Sequence, residues 1–359
     1  MDPNSTSSNA ILHKAYARVG LLGNPSDVYH GNSISFSLGN FWASVKLVPS
    51  DQIVIEPHPI HDFVQFGSLQ DMVRRVNAEG YHGGMRLLMA ICKIFFSYCK
   101  DNNIDLHTGN FTLSYDTNIP RQTGLSGSSA IVTAAFNCLL DFYKVRHLIK
   151  VEMRPNLVLA AEKELGIVAG LQDRVAQTYG GLVYMDFSKE HMDNLGHGIY
   201  TPMDLSLLPP LYLIYAENPS DSGKVHSKVR QRWLEGDEFI ISSMTKVANL
   251  AKEGKTVLEE KDYSKLAALM NQNFDLRRSM FGDDALGDIN IKMVEIARKV
   301  GASSKFTGSG GAVVAFCPDG PSQVKLLEDE CQKAGFVVQA AQLVPSLLTE
   351  IDKSTVTNK

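Results

Sequence analysis

Cysteine is scarce and unpatterned. The 359 residues include five, Cys92, Cys99, Cys138, Cys317 and Cys331. The number is odd and no CxxC occurs, a pattern that suits reduced thiols in a cytosolic protein. A basic excess is also missing. Lys plus Arg is 35 against 39 for Asp plus Glu, a formal net charge of -4. That balance argues against a general binder of nucleic acid or anionic membrane. No apolar run approaches the ~20 residues that a membrane helix needs. The polar start Met1–Ala10 lacks the basic and apolar stretches of a secretory signal, and Asp352–Lys359 carries no retention or lipidation signal. A cytoplasmic protein without nucleic-acid or membrane partners is expected. The Asn110-Phe111-Thr112 triplet is then an incidental match to a glycosylation pattern.

What is present is core-forming. Hydrophobic residues are 44% and charged residues 21%, and the length suggests about two domains. The first third reads as strands at Tyr16–Leu22, Ser33–Leu38, Phe41–Val48 and Gln52–Glu56. Met85–Tyr98 has helical apolar spacing, Phe111–Tyr115 alternates as a strand, and Ala130–Phe142 resumes as a helix. Pro155–Leu165 and Leu171–Tyr179 read as helices, and Leu182–Phe187 as a strand. Ser188–Pro210 is polar and turn-rich, which marks a boundary. Beyond it come a strand at Leu211–Ala216, a helical block from Val225 to Val300, a glycine-rich turn, a strand at Ala312–Phe316, a helix at Ser322–Ala334 and a strand at Phe336–Ala340. This mixture predicts an α+β protein in two parts.

Four segments carry chemistry. The first, Pro120-Arg121-Gln122-Thr123-Gly124-Leu125-Ser126-Gly127-Ser128-Ser129-Ala130, links a strand to a helix through small residues. Glycine allows close backbone approach, and the N–H groups at a helix start attract anions. The hydroxyls can bond phosphate or ligate one Mg²⁺. Composition alone leaves a phosphate cradle and an ordinary loop with an N-cap both open. The second, Glu162 to Arg174, holds Glu162 and Asp173 among apolar and small residues. Phosphoryl transfer uses one acid to hold Mg²⁺ and another to face the attacking hydroxyl. A solvated helix face for Glu162 and a helix cap for Asp173 are the plainer alternatives. The third, Lys305-Phe306-Thr307-Gly308-Ser309-Gly310-Gly311, precedes an apolar strand and also reads as a hairpin turn. The fourth, Ala17 to Asp27, delivers Arg18 from a strand and Asn24, Ser26 and Asp27 from a turn, either toward a hydroxyl-rich ligand or as an Asx-type turn.

Together and in this order, the four resemble the GHMP kinase superfamily, over nearly the whole chain. Gly124–Ala130 looks like the family's G-L-[GS]-S-S-A phosphate loop, Lys305–Gly311 like its K-x-T-G-x-G-G motif, and Arg18–Asp27 like its first motif. The resemblance implies an N-terminal domain of the ribosomal protein S5 domain 2 type and a C-terminal ferredoxin-like domain, with ATP in the cleft between. The expected limits are a disordered tail at 1–15, the ATP-binding domain at 16–200, the second domain at 201–345 and a polar tail at 346–359. The resemblance implies that Gly124, Leu125, Ser126, Gly127, Ser128 and Ser129 wrap the ATP phosphates. It implies that Ser128 and Glu162 ligate Mg²⁺, that Asp173 faces the acceptor hydroxyl and that Arg18 sits beside Asp173. Asn24, Ser26, Asp27, Gln172, Gly308 and Gly310 would contact the acceptor.

The first motif departs from the galactokinase form, reading Gly23-Asn24-Pro25-Ser26-Asp27. With Phe41–Lys46 and Asn218–Lys224, this form is similar to the plant glucuronokinases. That implies phosphorylation of D-glucuronate at its anomeric hydroxyl, feeding UDP-glucuronate synthesis, by a monomer or weak oligomer. A uronic acid needs a cation, and Arg121, Arg174 and Lys224 all remain candidates. A kinase for another sugar (galactose, arabinose, galacturonate) and a catalytically silent sugar-binding regulator are the alternatives. Of the other residues, Trp42 and Trp233 can stack an adenine or fill core. His58 and His61 read as an exposed strand end. Arg277-Arg278 lies either near the site or on a solvated helix face.

Overall fold

The computed structural model describes residues 10–79, 83–216 and 226–356. Its first part runs β1 (Ile11–Leu22), β2 (Asn32–Ser50), β3 (Val54–Ile55), α1 (Leu69–Glu79), α2 (Gly84–Asp101), β4 (Asn110–Thr117) and α3 (Gly127–Phe142). Then follow α4 (Arg154–Glu164), α5 (Gln172–Tyr179), β5 (Leu182–Asp186), α6 (Lys189–Leu195) and β6 (Ile199–Met203). The second part runs β7 (Leu211–Ala216), α7 (His226–Leu234), α8 (Glu238–Glu259), α9 (Tyr263–Phe281), α10 (Asp283–Leu286) and α11 (Asp288–Lys299). It closes with β8 (Ser303–Phe306), β9 (Ala312–Phe316), α12 (Pro321–Lys333), β10 (Phe336–Ala340) and α13 (Glu350–Ser354).

Alternation from Phe41 to Leu47 buries Phe41, Ala43, Val45 and Leu47, the period of a half-buried strand. The structure corrects the expectation of two strands here. β2 is continuous, and the Gly39-Asn40 break survives as an irregularity where Tyr16 of β1 faces Trp42 but Ala17 faces Leu38. One edge of β2 carries β1. The other is shared by β5 along Asn32–Phe36 and by β4 along Ala43–Ser50. Helix α3, buried along most of its length, packs against β1 and β2.

The second sheet is antiparallel in the order β10-β7-β9-β8. Counted along this part of the chain the order is 4-1-3-2 with helices after the first and third strands, the split βαβ arrangement. The α+β expectation and its two-part fold hold. Two strands escaped the sequence reading. β6 is an edge strand inside the turn-rich stretch, where an edge tolerates Pro202. β8 is four residues long and fully buried, so it shows no alternation.

The tails also differ from expectation. β1 starts at Ile11, inside the expected disordered segment, because Ile11–Leu47 to Tyr16–Trp42 pair in register. The C-terminal segment docks on the first part of the chain. Leu347 donates its N–H to the Tyr179 carbonyl at 2.8 Å, and buried Asp352 pairs with Arg146 and Arg154. Strand β6 of the first sheet runs across position 200. Among the described residues no helix is long and apolar enough to cross a membrane.

Candidate active site

A cavity of about 870 Å³ opens between the two parts, within the size range of small-molecule sites. β1 brings Arg18 to its wall, the following turn brings Asn24 and Asp27, and the loop into α3 brings Gly124 to Ser129. The start of α5 brings Gln172, Asp173 and Arg174, and the second part contributes Arg277, Gly308 and Ser309.

Asp173 is the hub. Arg18 Nε donates to Asp173 Oδ1 at 2.5 Å and Ser126 Oγ donates to Oδ2 at 2.6 Å. Arg18 Nη1 also donates to the Gly124 carbonyl at 2.8 Å, which ties the phosphate loop to the acid. Burial by itself raises the Asp173 carboxyl. Arg18 and Arg174 outweigh it and, with the hydrogen bonds from Arg18 and Ser126, hold its pKa at about 2. Ser126 adopts a φ of 65° at the start of α3, a left-handed conformation uncommon for a non-glycine residue. This turn is what aims its hydroxyl at Asp173. Asp27 lies close by and accepts the Gln172 N–H at 3.2 Å. Burial and then repulsion from Asp173 push the Asp27 carboxyl up to about 6.

Glu162, at the end of α4, is fully buried. Ser128 Oγ donates to its Oε1 at 2.6 Å, and Arg174 donates to its Oε2 through Nε at 2.6 Å and through Nη2. Arg174 was a candidate for binding an acidic substrate. The structure commits it instead to Glu162 and, at 3.4 Å, to Asp173, because a buried carboxylate requires such a partner. The described residues hold no cluster of three or more His, Cys, Asp or Glu side chains suited to a metal. Of the two residues expected to ligate Mg²⁺, Ser128 lines the cavity, while Glu162 is wholly buried behind it. That ion is commonly held by one or two protein oxygens, with phosphate and water completing its shell.

The two glycine motifs meet each other. A Cβ on Gly124 would collide with the Gly310 carbonyl, one on Gly308 with the Gly124 carbonyl and the Arg18 guanidinium, and one on Gly311 with Gln122. Backbone therefore packs on backbone across the two parts, which only glycine permits. Of the two glycines expected to contact substrate, Gly308 lines the cavity but Gly310 faces Asn290 instead. Ser26 is likewise off the wall. It is wholly buried, and its hydroxyl donates to the Asn32 carbonyl at 2.9 Å. Asn24 reaches the cavity, but its Oδ1 already accepts Lys305 Nζ at 2.6 Å. Gln172 lines the wall while its amide nitrogen donates to Ser35 at 2.8 Å.

Part of the cavity wall is apolar, made by Leu87 on α2, Ile131 on α3 and Leu165, Ile167 and Val168 of the loop between α4 and α5. Neither tryptophan serves it. Trp42 lies under the Lys14 ammonium at 4.3 Å, and Trp233 packs edge-on against Tyr29 at 5.5 Å. His61 does line the cavity and stacks on His58 at 4.4 Å. Arg121 donates to the His61 carbonyl at 3.1 Å. Lys224 lies outside the described residues.

Comparison with known proteins places the chain in a family. Residues 86–181 match the GHMP kinases N terminal domain, and 255–335 match the GHMP kinases C terminal domain. Glucuronokinase 1 of Arabidopsis thaliana is 72% identical, with 99% of this chain and 100% of that protein covered. Probable glucuronokinase 2 of the same plant is 69% identical, with 99% of each covered. The crystal structure of Lactococcus lactis galactokinase complexed with galactose superposes with a TM-score of 0.72 at 15% identity, covering 94% of this chain and 95% of that one. The chain belongs to the GHMP kinase family.

Proposed function

We propose that the chain transfers the γ-phosphoryl group of ATP to the anomeric hydroxyl of D-glucuronate, giving glucuronate 1-phosphate. The observation that carries this is the Arg18–Asp173–Ser126 cluster on the cavity wall, beside a glycine loop that opens a helix. The substrate follows from 72% identity to a glucuronokinase over the whole chain. ATP lies with its adenine against the apolar part of the wall and its phosphates along Gly124–Ser129, where the first N–H groups of α3 have no helical partners.

Ser128 and Glu162 would hold Mg²⁺, which neutralises phosphate charge when bound. Asp173, with a pKa of about 2, is too weak a base to ionise a hydroxyl in advance. Its role is to accept the hydroxyl's hydrogen bond and aim its oxygen at phosphorus, taking the proton late, as a loose transition state permits. Arg18 keeps Asp173 ionised and adds positive charge beside the transferring group. Asn24, Asp27 and Gln172 face the remaining sugar hydroxyls. The product would feed UDP-glucuronate synthesis in the cytoplasm.

ADP release measured on a panel of uronic acids and neutral sugars tests the reading. Glucuronate is expected to give the highest kcat/KM, and a neutral sugar ranking above it would replace the substrate. Asp173→Asn is expected to bind Mg-ATP normally and to lose kcat by about 10³-fold. Near-normal kcat would remove Asp173 from this role.

A further inference from the structure

Arg277, on α9, lines the cavity with 2% of its surface exposed. Its Nη1 donates to the Gly308 carbonyl at 2.8 Å. Among the described residues its Nε and Nη2 are buried without a hydrogen-bond partner, and no carboxylate pairs with it. The guanidinium lies 5.3 Å and 5.4 Å from the ring centres of Phe281 and Phe306. Burial and the neighbouring Arg18 charge lower its pKa to about 10. A buried cation with unsatisfied donors is unfavourable unless an anion completes it.

Arg86 and Arg230 also line the cavity, but both are more exposed than Arg277, and the buried cations beside Asp173 are already committed. Arg18 serves Asp173, Arg174 serves Glu162, and Lys305 Nζ donates to Gly20, Asn24 and Phe306 oxygens at 2.6 to 2.8 Å. Arg121, an exposed residue of the cavity rim, bonds the His61 carbonyl. Gly308 separates Arg277 from Arg18, since its α-carbon faces Arg18 and its carbonyl holds Arg277. Arg277 is therefore one residue further from Asp173 than Arg18, on the side where the Tyr29 and Asp27 charges act on it. A pyranose uronic acid carries its carboxylate on C5, which the ring oxygen alone separates from the anomeric carbon. With the anomeric hydroxyl at Asp173, the carboxylate lies next along the ring, within reach of a residue one step beyond Arg18.

We propose that Arg277 binds the carboxylate of the acidic sugar and makes the site select a uronic acid over a neutral one. The proposal rests on the uronic-acid reading of the same site. A carboxylate supplies two acceptors in the geometry a guanidinium fork requires, and a side-chain rotamer change on binding brings the two together.

The test uses D-glucuronate, its uncharged carboxamide D-glucuronamide, and glucose, with wild-type protein, Arg277→Gln and Arg277→Lys. Arg277→Gln is expected to raise KM for glucuronate by about 100-fold. KM for ATP is expected to stay within about threefold, and the preference for glucuronate over glucuronamide to vanish. Arg277→Lys restores part of that preference, because it keeps the charge without the fork. A structural role would weaken glucuronate and glucuronamide alike, and an intact preference in Arg277→Gln overturns the proposal. Should the variants fail to fold, a crystal structure of the wild type with glucuronate and a non-hydrolysable ATP analogue decides. A carboxylate within hydrogen-bond distance of Arg277 supports the proposal, and one held elsewhere ends it. Wild-type turnover of a different uronic acid would sink the glucuronate reading alone, and Arg277 is then judged on that acid and its amide. No turnover of any uronic acid sinks both.

Discussion

Two carboxylates a few residues of wall apart are driven in opposite directions. Asp173 is held at about 2 by its arginines, whereas burial and Asp173 itself raise Asp27 to about 6. The folded state thus binds a proton on Asp27 more tightly than the unfolded chain does. Its contribution to stability is full below about pH 4 and is lost as pH rises through about 6. Asp173 has the opposite sign, contributing above about pH 4 and losing that contribution as pH falls toward 2. An ionised Asp27 is the better acceptor for sugar hydroxyls, so kcat/KM for the sugar should fall below about pH 6. Asp27→Asn should have lower activity and lack that acidic limb. A limb that persists in the variant would assign the titration to another group. Asp27 and Asp173 were both legible from their motifs, but the difference in their acidity was not, because it comes from neighbours that are distant in the chain.

At the scale of elements, glycine was rightly singled out and wrongly explained in part. Sequence reasoning reserved Gly308 and Gly310 for a ligand. Gly308 does line the cavity, but the hairpin between β8 and β9 also presses it against the loop before α3 and turns Gly310 against Asn290. Gly308→Ala would push a methyl group into the Gly124 carbonyl and the Arg18 guanidinium. An expected fall in kcat of about 10- to 100-fold follows from misplacing the Arg18–Asp173 pair, and the clash with buried backbone should also lower the thermal midpoint. Full kcat in this variant would show that the contact between the turns does not position the site. Helices with clear apolar spacing, such as Gly84–Asp101, were legible because one face meets the core. β6 and β8 were not, since an edge strand with proline and a buried four-residue strand carry neither period. Arg277 was left open for a related reason. Helix periodicity marks which face is buried, but not what lies across from it.

For the whole molecule, the C-terminal segment is a structural strap. Asp352 accepts from both Arg146 and Arg154, Thr349 and Asp352 form a reciprocal cap, and Leu347 bonds the end of α5. Since Asp173 lies in the first turn of α5, the strap braces the element that carries the proposed catalytic acid. Asp352→Ala leaves two buried arginines without their shared counter-charge. It should lower stability by about 3–5 kcal/mol in denaturant unfolding, and a loss under about 1 kcal/mol would show that the strap is dispensable. The segment's polar composition gave no hint of docking, because its buried charge is matched by residues some two hundred positions away.

Local order was within reach of the sequence alone. Periodicity located most helices and strands, and the four motifs taken together resembled a family of phosphoryl-transfer enzymes. Those features follow from neighbours within a few positions, where backbone geometry dictates what faces what. Tertiary structure alone decided which charges are satisfied. It placed Arg174 on Glu162, pressed one glycine turn into another, and buried Arg277 with no carboxylate partner among the described residues. Electrostatic pairing depends on distance in space and on exclusion of water, and neither is a property of chain order.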